Sequence, residues 1–199
     1  MNTAVLDREA PTPRKGRTWV KAVLAVLCLL MAAMWIYYFV TYIRHGKDPG
    51  IYQLADKNWR LEAKPICVAA QAERAKLADT NGGLITNPTL EQMQQRADIV
   101  DKSTAILDKM LTDIVAIPVA TDRDRELLGI FEDNYRIVIA DRHRYAASLR
   151  KGDRVQYSET VVAGGPVSNV VLDFTAGVKG NDVPDCSPPG ELGGDISPG

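Results

Sequence analysis

The chain has 199 residues, 24 basic against 25 acidic side chains, and a hydrophobic content of 46%. A net charge of −1 excludes a protein whose affinity rests on neutralising phosphates, so no nucleic-acid partner is expected, and the apolar content excludes a disordered chain. One stretch has a composition that no water-soluble domain needs. With it and the arm before it set aside, the remainder is the size of one domain.

That stretch, Ala22 to Ile43 (AVLAVLCLLMAAMWIYYFVTYI), contains no Asp, Glu, Lys, Arg or His. Its 22 residues, helical at about 1.5 Å each, reach about 33 Å and cross a hydrocarbon core of about 30 Å. A cleaved leader ends in small residues, whereas here Ala32 and Ala33 run on into Met34, Trp35, Ile36, Tyr37 and Tyr38, so residues 22–43 read as an uncleaved anchor in contact with membrane lipid. Cys28 follows Leu27 rather than a small residue. It therefore reads as a lipid-facing or packing residue and not as a lipoprotein attachment point.

The arm 1–21 holds Arg8, Arg14, Lys15, Arg17 and Lys21 against Asp7 and Glu9, and the chain beyond the span is net acidic, although Arg44, Lys47, Lys57 and Arg60 soften the contrast. The expectation is a single-pass protein of the cell membrane with its N-terminus cytoplasmic and residues 44–186 forming an extracytoplasmic domain. Trp35, Tyr37, Tyr38 and Tyr42 are expected in the outer interfacial belt and Trp19 in the inner one. A span without ionisable groups offers no proton or ion path.

Cys67 and Cys186 are the two cysteines beyond the span, and on the oxidising side of a membrane they are expected to pair. The bridge would close a loop of about 120 residues, worth about 4 to 5 kcal/mol on the chain-entropy account. The alternative, a metal site, needs more ligands at matched spacing, and the two histidines, His45 and His143, lie far apart. No metal and no cofactor is expected.

A first helix is predicted over 53–78 from the recurrence of Leu54, Ala55, Trp59, Ala63, Ile66, Cys67, Ala70 and Leu77, with Pro65 kinking or breaking it. The Asn, Gly and Pro of DTNGGLITNP mark a loop, and Pro88 disqualifies Asn87 as a glycosylation acceptor. Thr89 and Gln92 form a capping box for a second helix with Met93, Ala97, Val100, Thr104, Leu107, Leu111 and Ile114 on one seam, ended by Pro118. A third begins after Thr121 and carries Leu128, Phe131, Tyr135, Val138, Arg142, Tyr145 and Leu149, with Gly152 as its stop.

Arg142 breaks that stripe. On an apolar face a charge needs a carboxylate partner or a carbonyl cluster, and Glu62, Asp173 or Asp141 are candidates; otherwise the stripe opens there onto a surface or cleft. Residues 154–163 read as extended, Gly164-Gly165 as a turn, and Pro166 as the first position of a short fourth helix with Val167, Val170, Val171, Phe174 and Val178 on one face. From Gly180 on, Cys186 is the expected fixed point, with 187–199 a mobile tail. The fold class expected is all-α, an N-terminal transmembrane helix followed by a three- to four-helix antiparallel bundle.

Trp59, Ala63 and Cys67 at four-residue spacing, Asp141-Arg142 with Tyr145-Ala146, and Asn181, Val183, Cys186 and Pro188 together resemble a group of small, uncharacterised actinobacterial single-pass membrane proteins. The resemblance implies an anchored helical domain closed by Cys67 and Cys186, and it implies no activity. Pro65 beside the first cysteine and the long Gly/Pro tail depart from the group's pattern.

Nucleophilic catalysis has little to work with, because both outer cysteines are assigned to the bridge and neither histidine has a context that arms it. Glu132-Asp133 and Asp122, Asp124 and Glu126 lie among arginines and read as a solvated, salt-bridged face. His143, in DRHRY, reads as a surface residue. Gly164-Gly165 and Gly193-Gly194 lack the lysine of a phosphate loop. The function expected is therefore a non-enzymatic structural or accessory protein that contacts another envelope or membrane protein. The alternative is a sensing or ligand-binding module with Arg142, Tyr145 and Tyr135 lining a pocket between helices and acting through a partner; an envelope hydrolase ranks last.

Overall fold

A computed structural model describes residues 17–46, 50–77 and 87–190. The chain divides into two compact units, Met1–Asp48 and Pro49–Gly199. The first contains α1 (Arg17–Gly46), in which Trp19–Thr41 is long and apolar enough to cross a membrane and has no buried residue in its apolar window. Exposure of Leu24, Leu27, Leu29, Leu30, Trp35 and Phe39 suits a helix whose solvent is lipid. Trp35 and Tyr38 meet edge to face at 6.3 Å, while the side chain of Tyr42 and residues 1–16 of the arm lie outside the described residues.

The second unit is all-α, with α2 (Lys57–Ala75), α3 (Leu90–Val115), α4 (Asp122–Lys151) and α5 (Val167–Thr175) as its helices. Asp56 caps α2 by accepting from the Asn58 amide at 2.9 Å. The helix starts later than 53 and runs unbroken through Pro65. Leu61, whose carbonyl loses its donor, and Pro65 are both exposed, so the break in the hydrogen-bond ladder falls on the solvent face of the helix. The loop expected around 79–88 is outside the described residues up to 86.

The Thr89–Gln92 capping box forms with both reciprocal hydrogen bonds, and all seven predicted seam residues of α3 are buried. The helix ends at Val115, capped by Ala116, two residues short of Pro118. Thr121 caps α4. At its other end Gly152 has φ +87° and closes the helix with Gly152 N to Leu149 O and Asp153 N to Ser148 O, a Schellman arrangement that only glycine adopts without strain. An added Cβ there would also press on Leu90 at 3.3 Å.

Cross-helix pairs fix the direction of packing. Arg136 meets Asp108, His143 meets Asp101, and Arg150 meets Asp98 and Asp101, so numbers rise along α4 as they fall along α3 and the two are antiparallel. On α2, Trp59 Nε1 donates to Ile114 O at 3.0 Å and Arg74 Nε to Ser103 Oγ at 3.2 Å, which makes α2 antiparallel to α3 as well.

The extended segment after Gly152 contains the only strands among the described residues, a hairpin of β1 (Val161–Val162) and β2 (Gly165–Pro166). Its central residues are Ala163 (φ +52°) and Gly164 (φ +84°), one position earlier than the Gly164-Gly165 turn expected. Two successive positive φ values suit the right-handed twist of the strands, and Ala163 carries the strain. Pro166 is the cap of α5 and not its first residue. Val167, Val171 and Phe174 are buried as expected, but Val178 lies beyond the helix and is fully exposed.

A 3-10 turn, Pro184–Cys186, brings Cys186 onto α2, where it bonds Cys67 with a Cα separation of 4.9 Å. Cys186 is not the only fixed point after Gly180: Asn181 and Val183 are buried, and Ser187 Oγ lies 2.7 Å from Thr175 Oγ1. Ser187, expected as the first residue of a tail, is thus held against α5, and the part of the expected tail from 191 on lies outside the described residues. Around the disulfide the core is aromatic. Trp59 meets Phe174 edge to face at 5.7 Å, Phe174 stacks on Phe131 at 4.3 Å, and Phe131 meets Tyr135 at 5.6 Å, which joins α2, α5 and α4 through one run of rings.

Candidate functional site

The seam spacing of α3 turns Ser103 and Thr104 inward, and that of α4 does the same for Asp141 and Arg142; all four are buried. Arg142 is 1% exposed. Its Nε donates to Thr104 Oγ1 at 3.0 Å and an Nη to Ser103 Oγ at 3.0 Å. Thr104 Oγ1 itself donates to Val100 O at 2.6 Å, and Ser103 Oγ also accepts from Arg74. Three helices therefore converge on one serine hydroxyl, and charged donors make these bonds stronger than neutral ones.

The carboxylates expected beside Arg142 are employed elsewhere. Glu62 and Asp173 are exposed. Asp141 accepts from Thr160 N at 2.6 Å, Thr160 Oγ1 at 2.9 Å and Arg144 at 2.5 Å, so it fastens the extended segment onto α4. Arg142 is a buried, hydrogen-bonded residue, and the stripe does not open onto a cleft there.

Tyr135, Arg142 and Tyr145 do not form one site. Tyr135 is fully buried among the aromatic residues near the disulfide. Tyr145 belongs to a second apolar cluster with Met93, Ala97, Val100, Ala146 and Leu149, against which Tyr157 packs, the two rings meeting edge to face at 5.7 Å. Ten residues along a helix separate the tyrosines by about 15 Å. Arg142 with Ser103 and Thr104 forms a polar layer between the two clusters. A cleft of about 340 Å³ lies at the α3–α4 turn, lined by Val115 to Val119 with Arg125, Leu128, Gly129 and Glu132.

Asp124 and Asn181 are buried and serve backbone groups, a role that the reading of the sequence did not assign to either. Asp124, expected on a solvated face, is fully buried, and its carboxylate accepts from Ala55 N at 2.8 Å and Asp56 N at 3.2 Å, holding the chain that enters α2. A signal existed, because extending the α4 stripe one step back from Leu128 lands on Asp124. Asn181 accepts from Leu54 N at 2.9 Å and donates to Tyr52 O at 2.9 Å and Phe174 O at 3.0 Å. Composition gave no warning of it, since it sits among glycine, proline and aspartate. Glu132 bonds Arg136 and Asp122 bonds Arg125 at the surface, as expected of that face.

His143 is exposed, as expected, and pairs with Asp101 at 2.8 Å. Partial burial raises the Asp101 carboxyl, but hydrogen bonds from His143 and Arg150 outweigh it and hold the group below the ordinary aspartate value. Burial first, then the Glu159 carboxylate, pushes the Tyr157 phenol well above its ordinary value. Among the described residues no group of three or more His, Cys, Asp or Glu could hold a metal ion.

No family model, curated protein or solved structure matches the chain. Its side chains alone therefore carry the functional argument.

Proposed function

We propose that the protein is a membrane-anchored, non-enzymatic accessory protein whose extracytoplasmic bundle contacts another envelope or membrane protein. The observation that carries this reading is the use made of the distinctive polar residues: Asp124, Asp141, Arg142 and Asn181 all spend hydrogen bonds on holding the bundle together. A domain whose buried polar groups are invested in its own rigidity, behind a helix fit to span a membrane, presents a fixed surface. The Cys67–Cys186 bond supports an oxidising location for it, and the basic arm supports a cytoplasmic N-terminus. Burial of Tyr135 and Arg142 weighs against the ligand-binding alternative, which needed them to line a pocket.

Extraction of native membranes in mild detergent tests the reading. The protein should elute with one other membrane or envelope protein at fixed stoichiometry, and elution as a lone species overturns the proposal. Protease added to spheroplasts should remove the large domain and leave a small protected fragment; full protection of that domain reverses the orientation.

A further inference from the structure

The chain enters the second unit at Gly50, and there it runs against the turn that follows α5. A Cβ added to Gly50 would lie 2.0 Å from the Lys179 carbonyl oxygen, so the two backbones are in direct contact. The turn is firmly held. Gly177 N donates to Leu172 O at 2.9 Å, Gly180 N to Gly177 O at 2.8 Å and Asn181 N to Phe174 O at 2.9 Å, while the Asn181 side chain ties it to Tyr52 and Leu54. At its tip Val178 is fully exposed, and Ile51, next to Gly50, is 76% exposed. A rigid turn that displays a valine to water gains nothing from doing so.

We propose that this lip, Ile51 with Val178, is a lipid-contacting surface that rests in the interfacial layer of the membrane holding α1. The inference rests on the reading of α1 as a membrane anchor. Chain length permits it: Gly46 ends α1, a few residues past the apolar span, and four peptide steps to Gly50 reach about 14 Å at most. The headgroup layer on each side of the hydrocarbon is itself about 5 to 7 Å deep. Apolar side chains held at the tethered point of the domain therefore meet lipid at a high effective concentration. Lys179, exposed beside Val178, has the form of an interfacial residue, an apolar stem with a charged end. Leu90 is also exposed but packs beside Gly152 at the far end of α4, about 40 Å along that helix from Asp124, and it should stay in water.

The test uses the full chain in nanodiscs on a Cys28→Ser background, with the disulfide intact and one fluorescent label on Met34→Cys, Val178→Cys or Leu90→Cys. Labels at 34 and 178 should be quenched severalfold more by nitroxide lipids than the label at 90, and the label at 178 should be shielded from aqueous iodide. If 34 is quenched by lipid and 178 behaves like 90, the lip is wrong and the anchor stands. If 34 is itself open to iodide, the anchor reading fails and the lip falls with it. A label at 178 shielded from both quenchers identifies a protein contact in place of lipid and overturns the proposal.

Discussion

At one end of the α3–α4 hairpin four helices, a disulfide and two buried polar clamps meet around a run of aromatic rings. At the other, beyond Ser103 and Arg142, the described core is a two-helix contact of Met93, Ala97, Val100, Tyr145, Ala146 and Leu149, covered by Tyr157. The first end is stabilised by closure: Asp124 and Asn181 satisfy backbone groups of the segment entering α2, and Cys67–Cys186 shuts the loop behind it. The second end is stabilised by local terms, a capping box, a Schellman stop and surface pairs such as Arg150 with Asp98 and Asp101, each worth about 1 kcal/mol or less. What separates the two is a layer of hydrogen-bonded polar side chains, so stability need not be uniform along the hairpin.

The largest blow to the closed end is loss of its bridge. With 119 residues between the cysteines, Cys67→Ser with Cys186→Ser should cost about 4 to 5 kcal/mol in a denaturant titration; an unchanged midpoint would show that aromatic packing alone closes this end. Asp124→Ala frees two backbone donors and should cost about 3 kcal/mol by the same measurement. Arg142→Ala should cost about 2 to 3 kcal/mol, with faster hydrogen exchange in 93–100 and 145–151 than in 107–114. Equal loosening at both ends would mean that the layer is no boundary.

Smaller effects sharpen the contrast. Ala163→Gly relieves a positive φ in the hairpin and should stabilise by about 0.5 to 1 kcal/mol in a thermal melt. Asp101 titrates below its ordinary value in the folded state. Its contribution is therefore present above about pH 4 and is lost as the pH falls through the folded value. Asp101→Asn should flatten that part of the stability profile slightly, since the pair is exposed; a profile that keeps its slope would assign the acid sensitivity to other carboxylates.

The helical frame was legible because its signals are local. Caps at Thr89 and Thr121, the stop at Gly152 and two seams of alternating spacing are written in neighbouring residues, and the structure places them with little shift. The disulfide was legible by elimination among three cysteines. Arg142 was visible as an anomaly, but its hydroxyl partners were not, because Ser103 and Thr104 look unremarkable on α3 and only antiparallel register brings them opposite. Asp124 was misread because a carboxylate near arginines at a helix start ordinarily faces water, and the backbone donors it serves come from 68 and 69 residues away. Asn181 was hidden for the same reason, its partner Leu54 lying 127 residues distant.

The bond between Cys67 and Cys186 also decides how the domain bears a pull. Tension applied between α1 and the C-terminal end of the chain would run through residues 50–67, cross the sulfur bridge and leave after residue 186. The 119-residue separation bypassed in this way includes all of α3, α4 and α5. Once the Asp124 and Trp59 bonds to the entry segment give way, those helices lie outside the covalent path of the load. With the bridge oxidised, a force that strips the short entry segment can draw residues 50–67 out to about 60 Å at most, and the hairpin that holds Arg142 stays folded behind a covalent shunt.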